Sequence, residues 1–362
     1  VSRPLFERTP CSWEPAFLDT YQPNRTRYLR PSDLAALEEL GRTSDARAPA
    51  GTYARHILER LLVDLAWNSS RLEGNTYSLL DTERLFRERA APDGRALVET
   101  QMLLNHKQAI EYLVEGAAEL RLEPRTVRSL HGLLAENLLG NPADEGRLRL
   151  HEVRIGESVF LPLGVPQLVE EAFTRLLETA RAIDDPFEQA FFALVHLPYL
   201  QPFADVNKRT ARLLANLPLL QHNLQPLSFV DVPREGYTLA TLAVYEERRI
   251  EPLRDVFLWA YRRSAERYRA IRRSLGEPDA FRLTYRDQLR EAVRTVVQER
   301  LTPARVPERL QALAEVLVEE RARERFIEAA RNELAALSEG TFARYGLRPS
   351  EFEEWTATRR ER

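Results

Sequence analysis

The chain has 362 residues, enough for about two domains, and its 44% hydrophobic content supplies a real core beneath 30% charged residues. Fifty-two Lys+Arg against 55 Asp+Glu leave −3, so no global field favours nucleic acid or an anionic membrane, and the single Cys11 excludes a disulfide framework or a cysteine metal cluster. No apolar run reaches the ~18 residues a membrane span needs and no leader-like start is seen, so a cytoplasmic protein without a membrane partner is expected.

Residues 1–52 are rich in Pro, Arg and aromatic side chains without a sustained period. They predict an N-terminal strap with one short helix after Pro31. In the region 53–89, Ile57, Leu61, Leu62, Leu65 and Ala66 follow a 3.6-residue period, and Gly74–Asn75 stops that helix. Ser69 and Glu73 are four apart and share a face of it. A larger domain, 90–274, opens with helices over Thr100–Val114 and Arg125–Leu139, whose His106 and His131 are read as structural. Within 147–161, partial alternation punctuated by Gly156 and followed by Val159-Phe160-Leu161 gives a hairpin signal. Such a hairpin is marginal alone and must lean on helices. Helices Pro166–Ile183 and Pro186–Leu200 follow. His196, in the second, sits about 7.5 Å of helical rise before Gln201 and is also read as structural. After the extended linker Pro226–Val232 come helices over Arg234–Arg248 and Pro252–Arg273, the latter with arginines spread around it as a solvated face. Gly276–Ala280 marks a boundary. Residues 275–362 carry two amphipathic stripes, Leu289–Val297 and Leu310–Leu337, expected to form a helical packing or partner-binding domain.

The chemistry concentrates in Leu194–Leu220. Its centre, QPFADVNKR at Gln201–Arg209, is a polar loop between two helices, and Arg209 and Arg212 share one face of the second. Unpaired N–H groups at a helix N-terminus suit a phosphate. Asn207, Lys208 and Arg209 add donors, and Asp205 is a candidate ligand for a magnesium ion beside the phosphates. On the residues alone this is an anion site with a metal ligand, or else a capped helix with solvated charges.

The stretch resembles the signature of the Fic family, HPFx(D/E)GN(G/K)RxxR. Pro202, Phe203, Asp205, Asn207, Lys208, Arg209 and Arg212 match it; Gln201 replaces the histidine and Val206 the glycine before the asparagine. The resemblance extends over roughly Tyr53–Tyr268 and implies a mainly α fold with a β-hairpin flap. Ser69-Ser70-Arg71-Leu72-Glu73-Gly74 resembles the family's inhibitory motif (S/T)xxxE(G/N). Ser69, Glu73 and Gly74 are therefore regulatory candidates, with Glu73 expected to pair with Arg212 across the γ-phosphate space.

Active relatives transfer AMP from ATP to a hydroxyl of a target protein. The resemblance implies ATP and Mg²⁺ as cofactors, with the metal on Asp205. Asn207, Lys208 and Arg209 would contact phosphates, Arg212 the γ-phosphate, and a target segment would dock on the flap 147–161. Gln201 stands at the catalytic position, but an amide does not take up a proton near neutral pH, and none of the six histidines lies beside it in sequence. Val206 puts a β-branched side chain where positive φ is wanted. The expectation is a retained nucleotide pocket with transfer lost or strongly reduced. Two alternatives stand beside it. One is an active transferase with altered chemistry or donor, since Val206-Asn207-Lys208-Arg209 looks partly like the Doc toxins, which transfer phosphate. The other is a protein-binding scaffold. Homo-oligomerisation is left open.

Overall fold

In a computed structural model describing residues 3–88, 94, 96–275 and 280–358, the helix Pro186–Leu200 is the axis of the larger part. Asp185 starts it by accepting N–H bonds from Phe187 and Glu188, both at 2.9 Å, and Pro186 occupies the first turn. Every residue from Ala190 to Leu200 is buried, as an apolar surface on all sides demands. Around it lie the helices Leu58–Leu72, Leu97–Glu115, Pro124–Ala135, Pro166–Arg181, Asn207–Leu214, Asn216–Gln221, Arg234–Glu247 and Glu251–Leu275. The described chain is mainly α and contains one two-stranded sheet.

It divides into two units, Val1–Ser274 and Leu275–Arg362. Gly276–Asp279 of the anticipated boundary lie outside the described residues. The second unit has its own core, including Val293, Val296, Leu310, Phe326 and Trp355. Its long apolar stripe splits into the helices Val306–Leu317 and Arg323–Ala335, because Val318 between them is extended. No described helix is long and apolar enough to cross a membrane.

The sheet corrects the expected hairpin. Phe160–Leu161 is a strand, but it pairs in parallel with Cys11–Ser12 of the strap, with Cys11 opposite Phe160 and Ser12 opposite Leu161. Trp13 N–H continues the pairing to the Leu161 carbonyl at 2.9 Å. Of the residues meant to form the other arm, Leu148 and Arg149 turn inward instead, and the Arg149 N–H bonds the Pro202 carbonyl at 3.0 Å. A second correction concerns the Glu251–Leu275 helix, whose arginines do not all form a solvated face. Arg267 grips the buried Asp64 carboxylate at 2.6 and 2.9 Å, and Arg269 donates to the Glu39 and Leu40 carbonyls at 2.6 and 3.0 Å. Long aliphatic stems let these heads reach past the helix surface.

The strap is tied down by one buried carboxylate. Glu188, 2% exposed, accepts from Tyr28 N–H at 2.6 Å, Leu29 N–H at 2.9 Å and the Tyr21 hydroxyl at 2.9 Å. Burial raises its pKa while these donors pull it back. Glu188→Ala strands all three donors and is expected to cost about 3–5 kcal/mol in urea unfolding, whereas Glu188→Gln, which keeps an acceptor, costs less.

Candidate functional site

The loop between the Pro186–Leu200 and Asn207–Leu214 helices begins and ends in left-handed backbone: Gln201 at φ 51°, Val206 at φ 64°. Neither is glycine. For a β-branched residue that conformation costs about 1–2 kcal/mol. Val206 is held there by burial of its side chain and by an N–H bond to Asp205 Oδ1 at 2.6 Å. From the Pro124–Ala135 helix, His131 supports the same loop. Its Nδ1 accepts from Gly146 N–H at 3.0 Å, which leaves Nε2–H to donate to the Asp205 carbonyl at 3.2 Å. The ring stacks on Phe203 at 3.8 Å, and burial lowers its pKa to about 4, so it stays neutral.

Asn207 is the loop's staple. Its Oδ1 accepts from Phe203 N–H at 3.0 Å, and its Nδ2 donates to the Phe203 carbonyl and to Gln201 Oε1, both at 2.9 Å. The Gln201 amide nitrogen donates to the Pro198 carbonyl at 2.6 Å and points towards the Tyr245 hydroxyl at 3.4 Å. Both amides therefore face the protein, and of the Asn207 donors only its N–H at the helix N-terminus remains for a ligand.

Charge gathers just beyond. Arg212, wholly buried, donates from Nη2 to Glu73 Oε1 at 2.7 Å and to the Ser69 carbonyl at 3.0 Å, and from Nε to Ser69 Oγ at 2.9 Å. Its guanidinium lies 5.3 Å from the Tyr237 ring centre. Lys208 Nζ reaches the other Glu73 oxygen at 3.1 Å. Burial resists ionisation of Glu73, but Arg212, Lys208 and Arg209 outweigh it and hold the pKa near 2. The Leu58–Leu72 helix thus ends with its acid planted among the three cations of the signature. Gly74, at φ 97°, takes the left-handed turn out of that helix, and a Cβ there would lie 3.4 Å from the Arg234 guanidinium.

His106 fixes the other end of the contact. It donates from Nδ1–H to the Met102 carbonyl at 2.7 Å, so Nε2 accepts from the Ser69 hydroxyl at 3.0 Å and Ser69 Oγ is left to accept from Arg212. Burial lowers the His106 pKa to about 3. His196 is buried among Phe17, Tyr28 and Phe192, and its Nε2 meets the Tyr28 hydroxyl at 2.8 Å, away from the loop.

Two groups bear on ligands. Arg209 is 7% exposed, its Nη1 is buried without a hydrogen-bond partner, and its nearest carboxylate, Asp205 Oδ2, is 3.6 Å from Nη2. An unpaired buried guanidinium nitrogen suits an anionic oxygen. Asp205 is largely exposed, and no cluster of three His, Cys, Asp or Glu forms a metal site among the described residues. One open carboxylate fits Mg²⁺ arriving with phosphates and its own waters, not a metal held by protein alone.

Sequence chemistry singled out Asp205, Asn207, Lys208, Arg209 and Arg212, the family resemblance added Gln201, Ser69, Glu73 and Gly74, and the fold brings them together. Neither reading found His131, His106, Tyr237, Tyr245 or Arg149, whose contacts link positions tens of residues apart.

Comparison with known proteins agrees with this geometry. The model of the Fic/DOC family matches residues 121–219. The curated protein adenylyltransferase Fic of Drosophila persimilis is 27% identical over 242 residues, covering 62% of this chain and 45% of the relative. That of Drosophila melanogaster is 26% identical over 229 residues, covering 59% and 44%. The chain thus spans less than half the length of these relatives. Among solved structures, a Fic family protein from Desulfovibrio desulfuricans G20 superposes with a TM-score of 0.55 at 19% identity, over 86% of this chain and 92% of that one. Fic-1 from C. elegans (aa134 - 508) gives 0.51 at 22%, over 66% and 71%. The fold is therefore shared with these proteins, and residues 121–219 carry a Fic/DOC family domain.

Proposed function

We propose that this is a Fic-type nucleotide pocket related to the protein adenylyltransferases, held closed by Glu73 and deprived of its general base at Gln201. The observation that carries the reading is the Glu73 carboxylate set between Arg212 and Lys208 at 2.7 and 3.1 Å. It fills the place an anionic phosphate group would take.

When Glu73 withdraws, Arg212 Nη2 and Lys208 gain free donors beside the Nη1 atoms of Arg209 and Arg212, which already lack a hydrogen-bond partner, and the N–H groups opening the Asn207–Leu214 helix add a partial positive charge. These groups bind and orient the polyphosphate of ATP. Asp205 would hold Mg²⁺, which neutralises phosphate charge when bound. Preorganised donors of this kind are usually the larger share of catalysis. The Gln201 amide takes no proton from an attacking hydroxyl, and losing a general base costs on the order of 10²–10⁴ in rate. A target segment is assigned to 147–161, adding to the edge of Phe160–Leu161 that Cys11–Ser12 leaves unused.

Calorimetry with ATP tests the reading. Binding is expected, tighter with Mg²⁺ than without, and Asp205→Asn, which keeps an oxygen to accept from the Val206 N–H but removes the charge, should shrink that difference. Absence of ATP binding by both the wild type and Glu73→Gly would replace the reading by a protein-binding scaffold.

A further inference from the structure

Arg149 is 1% exposed, and its guanidinium bonds only main-chain carbonyls. Nε donates to Gln201 at 2.6 Å, Nη1 to His151 at 2.9 Å, and Nη2 to Leu163. The Arg149 N–H adds the bond to Pro202 at 3.0 Å. Among the described residues no carboxylate forms an ion pair with this buried cation. Its compensation is three carbonyl dipoles, one of them from Gln201, the cap at the C-terminus of the Pro186–Leu200 helix.

The partners are placed tellingly. His151 and Leu163 bracket residues 152–162, the outer part of the flap and its exit, so one side chain closes the base of that stretch. Gln201 and Pro202 open the phosphate loop. Gln201 is also in left-handed backbone, at φ 51°, and Arg149 Nε sets the direction of its carbonyl. Arg149 therefore joins the segment assigned to a target with the loop assigned to the nucleotide, through rigid planar geometry that a lysine does not reproduce.

We propose that Arg149 is a positioning residue that makes the 152–162 flap and the 201–206 loop open and close as one unit, so that occupancy of either is felt at the other. The coupling itself is independent of any nucleotide; its use in signalling nucleotide occupancy to the flap rests on the proposed function.

Hydrogen exchange followed by mass spectrometry tests it in two arms. Without nucleotide, Arg149→Ala should speed exchange about tenfold in both 152–162 and 203–206, with the Leu58–Leu72 helix unchanged. Arg149→Lys, which keeps the charge but cannot span all the carbonyls, should do the same to a smaller extent, and it decides the matter where the alanine variant does not fold. Acceleration in one segment only, throughout residues 3–274, or nowhere overturns the proposal. In the second arm, MgATP should slow exchange at 152–162 in the wild type but not in Arg149→Lys. Slowing confined to the loop in both proteins overturns the coupling. If calorimetry shows no ATP binding, the nucleotide reading fails, and the first arm still decides on the clasp.

Discussion

Glu73→Gly is expected to tighten MgATP binding by about 5- to 150-fold, the range of an ordinary coupling between two sites. In the wild type an incoming phosphate must displace a carboxylate that two cations hold at 2.7 and 3.1 Å. Removing it also leaves Arg212 buried without a counter-charge, a state that typically costs 3–5 kcal/mol. The ligand-free variant should therefore melt lower than the wild type and regain more stability when MgATP is added. Glu73→Gln separates charge from helix-end flexibility, since it keeps the side chain's size at the close of the Leu58–Leu72 helix. The pH dependence is fixed in sign. With its pKa depressed to about 2, the pair contributes full stability above the ordinary carboxylate pKa of ~4.3. That contribution falls as pH drops through about 2, by the linkage between proton binding and folding. Wild-type ATP affinity should thus show no release of the Glu73 contact between pH 6 and 8. Unchanged affinity and unchanged melting in both variants would remove the inhibitory reading.

Why this pairing was legible while the flap was not is a matter of range. Ser69 and Glu73 lie one helical turn apart, as do Lys208 and Arg212, and Arg209 is three residues from Arg212, so helical period gives the shared faces, while the family resemblance supplied the pairing of Glu73 with Arg212. The two faces then meet because the apolar stripes beneath them have only one core to fill. Strand pairing carries no such local constraint. Phe160–Leu161 was recognisable, but its partner was chosen by Cys11–Ser12 from a segment without period. The inward turn at Arg149 was hidden for the same reason: an arginine within an alternating stretch looks like the solvent face, and it is the carbonyls of Gln201, His151 and Leu163, brought together only by the fold, that make burying it favourable. Asn207 shows a subtler limit. Its place in the motif marked it as a ligand donor, yet its side chain serves loop shape, bonding Phe203 on both sides. His106 and His131 were read as structural, and both are buried, but their bonds to Ser69 and Gly146 depend on more distant chain and had no signal in spacing.

Gln201→His is expected to raise AMP transfer by about 10²–10⁴, most readily seen as self-modification in the Glu73→Gly background. The argument is local. Gln201 Nε2 already donates to the Pro198 carbonyl at 2.6 Å. An imidazole placed there can give Nδ1–H to the same carbonyl, which leaves the Nε2 lone pair free to take a hydroxyl proton. Nothing else needs supplying, since Asp205 and the cations remain. The competing obstacle is loop shape. Val206 at φ 64° carries a buried side chain where the family signature has glycine. If that side chain blocks close approach of the polyphosphate, Gln201→His alone stays inactive and Gln201→His with Val206→Gly transfers. Glycine also relieves about 1–2 kcal/mol of left-handed strain, so the added substitution has a favourable backbone effect to set against the loss of a buried valine. Assays should run ATP labelled at the α-phosphate beside ATP labelled at the γ-phosphate. Transfer of the α label identifies adenylylation. Transfer of the γ label instead identifies the phosphate chemistry that Val206-Asn207-Lys208-Arg209 resembles. Neither label moving in the Glu73→Gly, Gln201→His, Val206→Gly protein, with ATP still bound, would show that the defect lies beyond base and loop.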